Sequence, residues 1–256
     1  MSATRRYFHS RAVHCTARWK RTHGGLCYIA GLQTWRVAQR TLHMIEKYRY
    51  IVVEGPIGVG KTSLAQRLAR QHGGEVLLEA PDTNPFLERF YRDSARYALP
   101  TQLFFLFQRI NQLRDLGQRD LFRKLFVSDF LLDKDPLFAT LTLNDDELAL
   151  YRQIYASLSP QAPTPDLVIY LQASPEALIE RIARRGNPME TSISDAYLRE
   201  LCDAYTRFFY QYNAAPLLMV NTEHLNPVDE DQDFMLLQER IAQMRGRREY
   251  FNRAGG

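Results

Sequence analysis

The chain has 256 residues, 45% of them hydrophobic, a formal net charge of +4 and a pI near 9.0. That length supports one substantial core and falls short of two independent enzyme domains, so one catalytic domain with appendages is expected. No run reaches 18 apolar residues, which leaves no membrane-spanning helix to place, and Cys15, Cys27 and Cys202 show no C-x-x-C or metal spacing, which fits a reducing compartment rather than a disulfide framework.

The positive charge is unevenly placed. From Met1 to His43 there are eight Lys or Arg and no Asp or Glu, so the remaining chain holds 25 basic against 29 acidic residues and is mildly acidic. Residues 1–43 also carry both tryptophans and four of the six histidines, without a strand or helix period. An Arg-rich, acid-free segment of this kind reads as a mitochondrial transit peptide, or as a stretch upstream of a true start at Met44. The second is favoured, because Met44 stands six residues before the first expected strand. A basic nucleic-acid-binding arm is a third, weaker reading, and no nucleic-acid partner is assigned. The domain is expected over 44–246, with 247–256 a frayed tail, and the setting is cytoplasmic, or mitochondrial only if the amino-terminal segment is a real transit peptide.

In chain order, Tyr50–Glu54 is the first strand, β-branched and apolar. It runs into Gly55-Pro56-Ile57-Gly58-Val59-Gly60-Lys61-Thr62-Ser63, which fills G-x-x-x-x-G-K-[ST], and a helical pattern (Leu64, Ala65, Leu68, Ala69) follows until Gly73 and Gly74. Strand, glycine loop and helix together define a phosphate-binding loop. Its backbone N–H groups turn toward a β-phosphate, Lys61 adds charge toward the β/γ-phosphates, and the Thr62 hydroxyl is placed for Mg²⁺.

Further strands are expected at Glu75–Glu79, Leu125–Ser128, Leu167–Leu171 and Leu217–Asn221. Helices are expected at Pro85–Asp93, at Thr101–Arg119 with Leu103, Leu106, Phe107, Ile110, Leu113 and Leu116 at helical spacing, after the Ser174-Pro175 N-cap, from Ser194, and over about Glu230–Met244. This alternation gives an α/β fold, a five-stranded parallel sheet flanked by helices. Ligands of such sheets sit at the carboxyl ends of the strands, which directs attention to Glu79, Ser128 and Asp129 beside the loop.

Glu79 ends the second strand where a general base toward an attacking hydroxyl would stand; a solvent-facing glutamate is the plainer reading. Asp129 follows the third strand, where a P-loop enzyme keeps a carboxylate for the Mg²⁺ shell. Arg181, Arg184 and Arg185 gather at a helix end before Gly186, either as an Arg-rich lid over ATP phosphates or as a solvated basic face. Gln102 and Arg109, seven residues apart, share one face of a long helix, and a Gln suits the edge of a nucleobase as well as it suits a helix surface.

These motifs, in this order, resemble the deoxynucleoside kinase family, particularly bacterial deoxyadenosine, deoxyguanosine and deoxycytidine kinases. The likeness covers about Tyr48 to Met244 and rests on Gly55–Ser63, Glu79, the Asn84–Tyr91 stretch, Tyr97-Ala98, Gln102, Arg109 and Arg181 through Glu190 to Tyr197-Leu198. It implies a P-loop kinase fold with ATP and Mg²⁺ as cofactors and a small-molecule deoxynucleoside as acceptor at its 5′-hydroxyl. It also implies Glu79 as base, Tyr91 and Glu190 on the 3′-hydroxyl, Gln102 and Arg109 on the base, Arg181 and Arg185 in the lid, and a homodimer.

The chain departs from the family where Asp/Glu-Arg-Ser is expected after the third strand. Ser128-Asp129-Phe130 stands there without an arginine, which leaves Asp129 in the acidic role and Arg184 or Lys134 to supply charge. Asn187 replaces a third lid arginine, and either Asp133 or Asp135 could stand for a base-selecting carboxylate. A nucleoside monophosphate kinase of the thymidylate type is the alternative enzyme. A non-catalytic ATP-binding protein is the alternative outside catalysis.

Overall fold

The computed structural model describes residues 45, 47–118, 124–159, 162–187, 190 and 193–253. The amino-terminal extension and Arg119, with which the third expected helix ends, lie outside them.

Strand β1 (Tyr50–Glu54) is buried along its whole length, and Ile51, Val52 and Val53 are fully enclosed. Burying each such side chain contributes on the order of 1.5–3 kcal/mol. The strand lies at the centre of a parallel sheet whose order is β2-β3-β1-β4-β5-β6, with β2 at Glu75–Leu77, β3 at Phe126–Ser128, β4 at Leu167–Gln172, β5 at Leu217–Asn221 and β6 at Arg248–Phe251. The expected strands are all present. The sixth is an addition: Arg248–Phe251, expected to fray, pairs along β5 at the sheet edge. Its Arg-Glu-Tyr-Phe sequence has no apolar run, because an edge strand need not be buried on both faces.

Helices cover the sheet: α1 (Lys61–Gln71), α2 (Leu87–Arg92), α3 (Ser94–Gln118), α4 (Asp135–Thr142), α5 (Asp145–Leu158), α6 (Pro175–Arg185), α7 (Asp195–Gln211) and α8 (Asp231–Gln243). Helix α3 starts seven residues before the expected Thr101 and takes Pro100 within it. Pro100 is the seventh residue of this helix, past the first turn, so it removes one intrahelical bond, to the Arg96 carbonyl, which is why a proline argues against a helix interior. Helices α4 and α5 were not read from the sequence. Helix α5 opens on a capping box in which the Asn144 side chain accepts from the Glu147 N–H at 2.9 Å and Glu147 accepts from the Asn144 N–H at 3.3 Å.

The strand order decides where the chemistry falls. Ser128 is level with Leu77 on one side and Val52 on the other. The residue after it, Asp129, therefore emerges between the phosphate-binding loop and the end of β2.

Candidate active site

The loop after β1 is shaped by close approach. Gly55 has φ +154°, and a Cβ there would stand 2.5 Å from the Leu171 carbonyl oxygen. Gly58 has φ +84°, and a Cβ would stand 2.8 Å from Ile182 Cγ1 and 3.2 Å from the Leu178 oxygen. Helix α6 thus lies directly on the loop, and only glycine meets both the conformation and the space. The Lys61 ammonium folds back to donate to the Pro56 carbonyl at 3.1 Å. Burial pulls its pKa down, and the Lys134 ammonium adds to this against the carboxylates of Glu54, Glu79 and Asp129.

Asp129 joins two strand ends. One carboxylate oxygen accepts from the Thr62 hydroxyl at 2.5 Å and the other from the Glu79 N–H at 2.7 Å. Burial nevertheless holds its carboxyl above the usual range. Thr62 and Asp129 were expected to serve the metal, and their oxygens meet. A hydroxyl and a carboxylate are hard donors of the kind Mg²⁺ takes while keeping waters and phosphates as its other ligands, so these residues fit that ion.

Glu79 lies two residues beyond the end of β2, its side chain 20% exposed. Arg109 on α3 pairs with this carboxylate through one guanidinium nitrogen and with Asp135 at the start of α4 through another. Arg109 is 4% and Asp135 1% exposed, so the bridge is buried. Burial pushes the Glu79 carboxyl up, but Arg109, Lys134 and Lys61 more than reverse this and hold it below the usual carboxylate range. Of the two aspartates, Asp135 faces Arg109, whereas Asp133 lines a separate cavity with Tyr50 and Tyr155.

One cavity collects most of the expected site. Ile57, Gly58, Lys61, Thr62, Glu79, Asp129 and Arg185 line it toward the loop, while Tyr91, Gln102, Arg109 and Glu190 line it together with the aromatic rings of Phe90, Phe105, Phe138 and Tyr197. Gln102 Nε2 donates to the Thr142 hydroxyl at 3.3 Å. Arg185 pairs with one oxygen of Glu190, and the other, Oε2, is buried without a partner.

Two of the three lid arginines stand elsewhere. Arg181 donates to the Thr222 carbonyl at 2.7 Å and to its hydroxyl at 3.0 Å, and it does not line the cavity. Arg184 is exposed. Arg181 and Arg185 are one turn apart on the same face of α6, so height along the helix separates them: Arg181 reaches Thr222, while Arg185, in the last turn before Gly186 in the left-handed conformation at φ +63°, reaches the cavity. Of the loop residues, Ser63 is exposed at the start of α1, and Gly55, Pro56, Val59 and Gly60 shape the backbone without lining the cavity.

The sequence reading missed Glu54. Its carboxylate is fully buried at the end of β1 and accepts from the Gly55 N–H at 2.9 Å, the Leu131 N–H at 2.8 Å and the Tyr205 hydroxyl at 3.0 Å. An acidic residue ending a wholly apolar strand was the available signal, since such a group must be paired.

A glycine loop feeding a helix, strand-end carboxylates beside it and an aromatic cavity alongside define a P-loop kinase acting on a small molecule. Residues 51–244 match the deoxynucleoside kinase family, and the chain belongs to that family. It is 36% identical over 199 residues to the deoxyguanosine kinase of Bacillus subtilis (strain 168), covering 75% of this chain and 94% of that one. It is 30% identical over 208 residues to the deoxyadenosine/deoxycytidine kinase of the same organism, covering 78% and 94%. A solved structure of deoxyadenosine kinase from M. mycoides, with dCMP and a flexible dCDP bound, superposes with a TM-score of 0.67 at 24% identity, over 76% of this chain and all of that one, which bears on the fold. Among the described residues no helix is long and apolar enough to cross a membrane.

Proposed function

We propose that the enzyme transfers the γ-phosphoryl group of ATP to the 5′-hydroxyl of a deoxynucleoside, with Glu79 as general base. The observation that carries this reading is the Glu79 carboxylate lining the same cavity as Lys61 and Thr62 on one side and Gln102, Tyr91 and Glu190 on the other. A hydroxyl placed there would face a carboxylate and a phosphate site together, the arrangement phosphoryl transfer requires.

In the reaction the 5′-oxygen forms a bond to the γ-phosphorus as the bond to the β–γ bridging oxygen breaks. ADP leaves with that electron pair, and the hydroxyl proton passes to Glu79. Because Glu79 is kept ionised by its cationic neighbours it is a weak base. That suffices for a loose transition state, in which the attacking oxygen carries little charge and positioning does most of the work. Gln102, deep in the cavity, offers both a donor and an acceptor to a base edge. The unpartnered Glu190 Oε2 and the Tyr91 hydroxyl are groups for the sugar hydroxyl. Thr62 and Asp129 would hold Mg²⁺, which when bound neutralises charge on the β- and γ-phosphate oxygens. Arg185 extends the phosphate-facing charge from the lid, and Arg181 and Arg184 would join it only by leaving their present places.

The homodimer expected from the family finds support in Phe107 on α3 and Leu150 on α5, exposed apolar side chains on two helices that pack together. Phe105, on the same helix as Phe107, is buried and lines the cavity. Sedimentation of the purified protein tests this.

The activity is tested by incubating the protein with ATP, Mg²⁺ and each of deoxyguanosine, deoxyadenosine, deoxycytidine, thymidine and dTMP, with products read by mass. A deoxynucleoside 5′-monophosphate is expected. A diphosphate from dTMP alone would replace the reading with a monophosphate kinase, and bound ATP without product would make the chain a non-catalytic nucleotide binder.

A further inference from the structure

Among the described residues, four cations line the cavity: Lys61, Arg109, Lys134 and Arg185. Three have evident work. Lys61 belongs to the phosphate loop, Arg109 is bridged between Glu79 and Asp135, and Arg185 pairs with Glu190 at the lid. Lys134 is left.

Its placement is costly. Lys134 is 2% exposed, its Nζ lies 3.4 Å from Glu54 Oε2, and its ammonium stands over the ring of Phe138 at 4.8 Å and near that of Tyr205 at 6.0 Å. The groups that donate to the Glu54 carboxylate are two N–H and one hydroxyl, all neutral, so Lys134 supplies its countercharge; a buried pair kept for stability alone is replaceable, both partners together, by apolar side chains at little cost. Glu54 instead anchors the ammonium from behind, at the junction of β1, the loop and the turn after β3. From there Lys134 lines the same cavity as Glu79 and Lys61, and its positive charge helps hold the Glu79 carboxyl down and pull the Lys61 ammonium down. No arginine follows β3 in this chain, and neither Arg181 nor Arg184 lines the cavity.

We propose that Lys134, held by Glu54, is the cation that meets the γ-phosphoryl group and the 5′-oxygen as they join, in place of an arginine after β3. The proposal rests on the transfer reaction given above. Lys134 exchanges no proton and forms no bond; it acts by offsetting charge on the phosphoryl oxygens. Glu54 is a positioning residue that fixes where the charge stands.

The test compares full-length wild type with Lys134→Arg, Lys134→Gln and the double variant Glu54→Gln/Lys134→Gln. The readouts are kcat with ATP, Mg²⁺ and the best deoxynucleoside of the panel, the dissociation constant of a fluorescent ATP analogue, and thermal midpoint. Lys134→Gln is expected to lower kcat at least about 100-fold while the ATP analogue binds within about threefold of wild type. Lys134→Arg is expected to retain at least a tenth of kcat. The double variant buries no charge, so it keeps its fold where the single variant loses it, and it is expected to remain as slow. A kcat within about fivefold of wild type in either folded Gln variant overturns the proposal. So does an equal loss of ATP affinity and kcat, which would make Lys134 a structural or ground-state contact. If the wild-type protein forms no monophosphate, the transfer reaction itself fails, and that result is distinguishable from a failure of Lys134.

Discussion

The Arg109 guanidinium is ion-paired with the Glu79 carboxylate, tying a helix face to the loop beyond β2. Because its other side is held by buried Asp135, the guanidinium cannot follow a proton or a substrate freely, and Glu79 is kept ionised. Arg109→Gln removes that cation. Glu79's carboxyl is then expected to rise toward the ordinary carboxylate value, moving the acid limb of kcat/KM to higher pH; a pH–rate profile checks it. The sign agrees with linkage: a carboxyl depressed in the folded state contributes stability that is present above its unfolded value and fades as pH falls through the folded one.

The same substitution leaves Asp135 buried without its partner. A loss of about 3–5 kcal/mol in urea unfolding is expected for Arg109→Gln, with the double variant Arg109→Gln/Asp135→Asn recovering a large part of it.

Asp129 binds Thr62 and Glu79 at once, so its effects should divide cleanly. Asp129→Asn keeps the shape and removes the charge. The Mg²⁺ concentration giving half-maximal rate is expected to rise by roughly 10- to 100-fold, with saturating ATP affinity little changed. Chelating the metal with EDTA is expected to abolish turnover of the wild type. A Mg²⁺ titration of initial rates reads both.

Gly58→Ala places a methyl against Ile182 and the Leu178 carbonyl in a left-handed backbone conformation. Relief requires α6 to move off the loop. Binding of an ATP analogue is expected to weaken about tenfold or more, the equivalent of about 1.4 kcal/mol, measured by fluorescence titration.

Much of this was legible in the sequence. The central strands are continuous apolar runs, and β5 was read to the residue at Leu217–Asn221. The loop motif carries its own geometry, and Glu79, Asp129, Tyr91, Gln102, Arg109, Arg185 and Glu190 all come to one cavity. What stayed hidden was pairing. Whether Arg109 reads a base or clamps Glu79 depends on Asp135, 26 positions away in sequence and across two helices. The family resemblance implied Arg181 in the lid, yet its fate is decided by the Thr222 carbonyl just beyond β5, which no local pattern announces. Strand β6 was missed for the opposite reason: an edge strand with polar residues looks like a tail until β5 is there to pair with it.

The measurement that tests the account most directly is Glu79→Gln against wild type, with deoxynucleoside phosphorylation and ATP-analogue affinity taken on the same preparations. The account expects turnover to fall by about 10²–10⁴-fold while ATP affinity stays within about threefold, since Glu79 acts on the acceptor hydroxyl and does not hold the phosphates. An unchanged rate would contradict it and remove Glu79 as the base.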